Sequence, residues 1–211
     1  MSTNNTLKGG LFILGILSIA LVGMALANDF STNENVGITI ESHAELESVS
    51  HEYLKNESDV ILTGTVTEIL PSKWNTIDGK RSSKSVHDLK WHDMIYTDVV
   101  VAVDEYHKNP LNKKEVVVRI FSGTVGKDSF VLDSEPSFSL NEKVFLYLVE
   151  DNWEYTKNMG PKHYFVLGSM QGKYTLTDDG KAIRPDEVVA FEELLLPLEN
   201  AEEHFVAEES K

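Results

Sequence analysis

His87, His92 and Asp93 form the tightest grouping of metal-capable side chains in the chain. Two imidazoles and a carboxylate are a donor set for catalytic zinc, which keeps one position open for water. The H-x4-H spacing is one residue longer than the helical H-x3-H that aims two imidazoles from one face, and no Glu follows the first His as a general base. If the three side chains converge, the chemistry is metal-assisted hydrolysis. The surrounding stretch, residues 71–93, carries a second kind of chemistry. Trp74 and Trp91 offer rings that stack on a sugar, a base or a partner side chain, and Lys80, Arg81 and Lys84 offer charge to an anionic group. Five cations against Asp78 and Asp88 make the segment Lys73–His92 locally +3. The competing structural reading is a solvated loop that the two Trp residues pin to the domain.

Other chemistries lack their residues. The chain has no cysteine, which excludes thiol catalysis, cysteine-based zinc or iron–sulfur sites and disulfides. There is no G-x-S-x-G elbow. Ser122-Gly123-Thr124-Val125-Gly126 is a glycine turn after a strand, without the Lys and helix of a phosphate loop. Arg81, Arg119 and Arg184 are the only arginines, so bidentate anion clamps are scarce. No cofactor is implied.

The elements that must position these residues are mostly strands. Residues 59–70, 94–106, 115–121, 128–132, 143–150 and 163–169 are rich in Val, Ile, Thr and aromatics, and Gly64 inside the first marks a bulge or bend. A hairpin is expected around Asp178-Asp179-Gly180. Helical spacing of Leu46, Val49, Tyr53 and Leu54 predicts a short amphipathic helix capped by Ser42, and residues 185–196 predict a second with Pro185 in its first turn. Many strands and few helices indicate a mainly β fold, an OB-like antiparallel β-barrel with short flanking helices over residues 43–198. The expected core is Val60, Leu62, Val66, Val99, Val101, Val103, Val117, Ile120, Val144, Leu146, Leu148 and Phe165. The 71–93 connection far exceeds the usual ~4–6 residues, and the first inter-strand loop is one that grips ligands in OB barrels.

The order SDVILTGTVTEI, YTDVVVAVDEYHK, VVVRIFSGTVGKDSFVL, EPSFSLNEKVFLYL, YFVLGSMQGKYTL resembles a loosely defined group of secreted bacterial and archaeal proteins of unassigned function, over roughly residues 58–177. More distantly it resembles the OB-type barrel of tissue inhibitors of metalloproteinases. That resemblance implies the fold. The zinc-chelating N-terminal cysteine of those inhibitors has no counterpart here, so their mechanism does not carry over.

An address precedes the domain. Lys8 is followed by 17 uncharged residues, Leu11 to Ala27, ending in the small-x-small triplet Ala25-Leu26-Ala27. These are the parts of a secretory signal peptide over residues 1–27. The rival reading is a retained membrane anchor, for which 17 residues is short against about 20. Either way the domain is expected outside the cell or in its envelope. Residues 28–42 read as a flexible linker and 199–211 as an acidic tail. The whole chain carries −15, and losing Lys8 with the signal makes that −16, which opposes bulk nucleic acid and anionic lipid. Asn56-Glu57-Ser58 is a candidate glycan acceptor. Two functions remain in view. The leading one is a non-enzymatic extracellular or envelope module whose 71–93 loop binds a protein or glycan, and the other is a secreted metal-assisted hydrolase using His87, His92 and Asp93.

Overall fold

The structure, a computed structural model, describes residues 37–43, 46–82, 88–196 and 198. The signal segment, most of the linker, Lys84, His87 and the acidic tail lie outside the described residues. The centre is a closed five-stranded barrel, and the fold is mainly β with two short helices. Its strands are β2 (Val60–Ile69), β4 (Ile95–Lys108), β5 (Glu115–Ile120), β8 (Lys143–Glu150) and β9 (Tyr164–Val166). The pairing runs β8–β2–β4–β5–β9 and returns from β9 to β8. Every pair is antiparallel except β5–β9, where Val118 meets Tyr164 in parallel. This is the five-stranded Greek-key closure of an OB-like barrel. The β2–β4 ladder shifts register three times, once beside Gly64, where a Cβ would stand 2.5 Å from the Ala102 carbonyl oxygen. The glycine lets the two strands close tightly enough to curve.

Three apolar clusters surround this frame. Val60, Leu62, Val66, Val99, Val101, Val116, Val118, Val144, Leu146, Leu148, Tyr164 and Val166 fill the barrel. On β5 and β9 the expected phase is corrected: Val116 and Val118 point inward, not Val117 and Ile120, and Tyr164 and Val166 flank the half-buried Phe165. A run of three valines gives no phase, and a one-residue slip exchanges the faces. Val103 is only partly buried. Arg119, on the outer face of β5, is fully buried. Its Nε and Nη2 donate to Asp98 at 2.7 and 2.8 Å, and its guanidinium lies 3.7 Å from the Tyr96 ring centre. A charge so placed is tolerable because it is paired in bidentate fashion.

The second cluster lies outside β8. There β10 (Lys173–Leu176), β11 (Lys181–Arg184) and β12 (Glu187–Ala190) extend the sheet and pack with two helices, α1 (His51–Glu57) and α2 (residues 191–196). Both helices differ from expectation. α1 starts at Ser50, whose Oγ accepts from the Tyr53 amide at 3.1 Å. Ser42 instead ends β1 (Thr39–Ser42), and its carbonyl accepts from Asp133. The segment between cannot coil, because the Gln171 amide takes the Val49 N–H and donates to the Glu47 carbonyl. Lys108 then closes the other end of α1, donating to the carbonyls of Lys55, Asn56 and Ser58. At the C-terminus, Pro185 and Asp186 form a turn joining β11 to β12, with Arg184 opposite Glu187. β-Branched Val188 and Val189 pair with β11, so the helix starts only at residue 191.

The third cluster joins the barrel to a small sheet, β1–β7–β6, with β6 at Gly123–Val125 and β7 at Asp128–Leu132. The linker expected over 28–42 is therefore, in its described part, a strand running parallel to β7.

Candidate functional site

Described parts of two inter-strand loops meet: residues 70–94, between the first and second barrel strands, and 151–163, between the fourth and fifth. The first begins with β3 (Lys73–Trp74), which pairs with Tyr96 and Ile95. A tight turn follows, closed by Trp74 N–H to the Gly79 carbonyl and Gly79 N–H to Thr76. Asp78 Oδ1 accepts from the Lys80 amide and from Thr76 Oγ1, and these bonds hold its carboxyl below the ordinary range. Ile77, at the tip, is 96% exposed.

Asn75 is the joint between the loops. Its buried side-chain amide donates to the His92 carbonyl at 2.5 Å and to the Tyr155 carbonyl at 3.1 Å. The His92 ring then stacks on Tyr155 with centres 4.2 Å apart and planes 11° apart, and meets Trp153 edge-on at 5.7 Å. Trp153 and Tyr155 touch edge-to-face at 4.9 Å. Tyr155 keeps 43% of its surface exposed, while His92 and Trp153 are half-buried. A hydrogen bond with Glu154 raises the Tyr155 phenol above its usual value. The result is an aromatic platform built from both loops.

The second loop is fastened from beneath. His163 is buried, with Nδ1 donating to the Pro161 carbonyl and Nε2 2.8 Å from Asp151 Oδ2. Both ring nitrogens thus face oxygen atoms. Burial alone would raise the Asp151 carboxyl. The hydrogen bonds from His163, Thr156 and the Trp153 amide overcome it and hold the group below its usual value. Gly160 lies over the Arg119–Asp98 pair at φ +83°, and a Cβ there would stand 3.0 Å from Arg119 Nη2. The platform therefore rests on the barrel wall through Arg119, Asp98 and Tyr96.

The residues expected from sequence divide sharply. Trp74 is 1% exposed and packs with Met94, Ile95, Tyr96, Phe121 and Phe130, so its ring is core and cannot reach a ligand. Arg81 leans on Asp128 at 3.5 Å, and Lys80 is exposed. Trp91 opens a 3-10 turn, Trp91–Asp93, and its side chain lies outside the description, as do Lys84 and His87. Asp93 is buried and its Oδ2 accepts from the Lys90 amide, so it shapes that turn. His92 lies in the aromatic platform. No group of three or more metal-capable side chains occurs among the described residues. Asn56 is exposed in the last turn of α1, and the Ser58 hydroxyl of its sequon is buried, donating to the Leu54 carbonyl. Trp153 and Tyr155 were missed. The available signal was two aromatics within the thirteen-residue, glycine- and proline-containing connection 151–163.

No protein-family model matches the chain, and no curated protein matches it.

Proposed function

We propose that the chain is a non-enzymatic binding module of the cell exterior or envelope, and that its ligand sits where the 70–94 and 151–163 loops join. The observation that carries this reading is the His92–Tyr155–Trp153 platform, in which Tyr155 is 43% exposed and the buried Asn75 amide and the His163–Asp151 pair hold the loops beneath. A platform held rigid before contact loses little freedom on binding. Loops between these strands of an OB-like barrel are suited to grip a ligand. The metal-assisted alternative finds no support among the described residues, because Asp93 is engaged in its turn and His92 in ring stacking. The signal segment supports the extracellular address.

The test is capture from native envelope fractions by the tagged secreted chain. Tyr155→Ala and Trp153→Ala should abolish specific capture, and Val188→Thr, on the exposed face of β12 away from the barrel, should leave it intact. Unchanged capture by both aromatic variants, with melting curves like the parent, would remove the loops from the binding surface.

A further inference from the structure

Resting on that reading of the site, we infer that its ligand is a neutral oligosaccharide. Three observations point there. First, the platform is aromatic, with His92 and Tyr155 stacked and Trp153 edge-on to both. His92 covers one face of Tyr155 and Trp153 meets its ring edge-to-face, and the residue is still 43% exposed, as an aromatic that packs on the C–H face of a pyranose must be. Second, the exposed residues along the second loop include the hydrogen-bonding groups Asn152, Glu154 and Asn158, beside the cations Lys157 and Lys162. Amides and carboxylates pair with sugar hydroxyls as acceptors, and amides also donate. Third, the charges argue against a polyanion. The chain carries −15, and two of the cations of the site loops are directed to carboxylates, Arg81 to Asp128 at 3.5 Å and Lys162 to Glu150 at 2.6 Å. Over residues 71–93 and 151–163 together, seven cations against five acids leave only +2. A nucleic acid would need a concentrated positive track beside its stacking rings. A neutral sugar needs the rings and the hydrogen-bonding rim alone.

The experiment titrates the folded secreted chain with soluble tetrasaccharides and reads tryptophan fluorescence and amide chemical shifts. Neutral probes are cellotetraose, maltotetraose and chitotetraose, and the acidic probe is tetragalacturonate. At least one neutral probe should bind and shift the Trp153 and Tyr155 amides. Affinity should fall about tenfold or more in Tyr155→Ala, the scale of losing one stacked ring, and hold within about threefold in Tyr155→Phe. Binding should change little between low and high salt, since no charge pair carries it. Binding of tetragalacturonate alone, or a steep salt dependence, would overturn the neutral-ligand assignment. If no probe binds while envelope capture still depends on Tyr155, the sugar assignment falls and the site belongs to a protein partner. If neither probe binding nor capture responds to Tyr155→Ala, the binding-site reading falls as well.

Discussion

Two tryptophans of similar sequence context have opposite roles. Trp74 follows Lys73 in a long loop and is wholly enclosed, whereas Trp153 follows Asn152 in a shorter loop and stays half in solvent. Neighbouring residue types do not separate them. The separation comes from β3, two residues long, which pairs with the start of β4 and turns Trp74 onto Phe121 and Phe130. The consequence is measurable by urea denaturation. Trp74→Ala should lower stability by about 3–5 kcal/mol, the scale of deleting a core aromatic. Tyr155→Ala, at the surface, should cost no more than roughly 1 kcal/mol. A small loss at Trp74 would mean the loop, not the core, sets its environment. Arg119 makes the same point about legibility. As one cation in a valine-rich strand it reads as a solvent-facing residue, yet it is fully buried because Asp98, on the neighbouring strand, lies directly across the ladder. Cross-strand pairing of this kind depends on register, which the residue types alone do not set.

Elements governed by local composition were legible, and features governed by distant partners were not. Runs rich in Val, Ile, Thr and aromatics located all five barrel strands, and Gly64 marked the bend in the first. Both expected helices are present but start later than their spacing predicts, because each start is decided elsewhere in the chain. Residues 46–49 have helical spacing, but Gln171, more than 120 positions away, holds their backbone extended. Gly172 follows because an added Cβ would lie within 1.9 Å of the Leu167 carbonyl, so the residues after Gly168 turn in the tight 3-10 path that presents Gln171. Glu142 plays a comparable part, accepting from Lys173 and Thr175 across to β10. Glu142 of EPSFSLNEKVFLYL and Gln171 of YFVLGSMQGKYTL therefore specify architecture. A test at this scale compares two serines. Ser50→Ala should remove a helix cap and cost about 1 kcal/mol, with faster exchange of the Tyr53 amide. Ser42→Ala should leave that amide unchanged, because Ser42 belongs to β1. Equal loss of protection at Tyr53 in both variants would restore the longer helix starting at Ser42.

For the whole molecule, the charge balance and two carboxylates shape stability against pH in opposite directions. Asp151 has a folded pKa below its ordinary 3.8, so its stabilising contribution is full above that value and is lost as pH falls through the depressed one. Glu135 is the reverse. Burial pushes it up to about 7 from 4.5, against the opposing hydrogen bond from the Phe121 amide. The unfolded chain ionises this group first, so folding loses stability as pH rises from about 4.5 to 7. The net charge of −15 acts the same way, since self-repulsion grows as the acids ionise. Stability should therefore peak on the acid side of neutrality and decline toward pH 7. Glu135→Gln should flatten the decline between about pH 4.5 and 7, and Asp151→Asn should weaken the drop below about pH 4. Melting temperatures across pH 3–8, at fixed ionic strength, read both limbs in one series. A parent curve still rising from pH 5 to 7, or a Glu135→Gln curve parallel to the parent over that window, would show that Glu135 is ionised in the folded protein at much lower pH. In that case the carboxyl beside the Phe121 amide is solvated, and any decline that remains belongs to the charge of the chain.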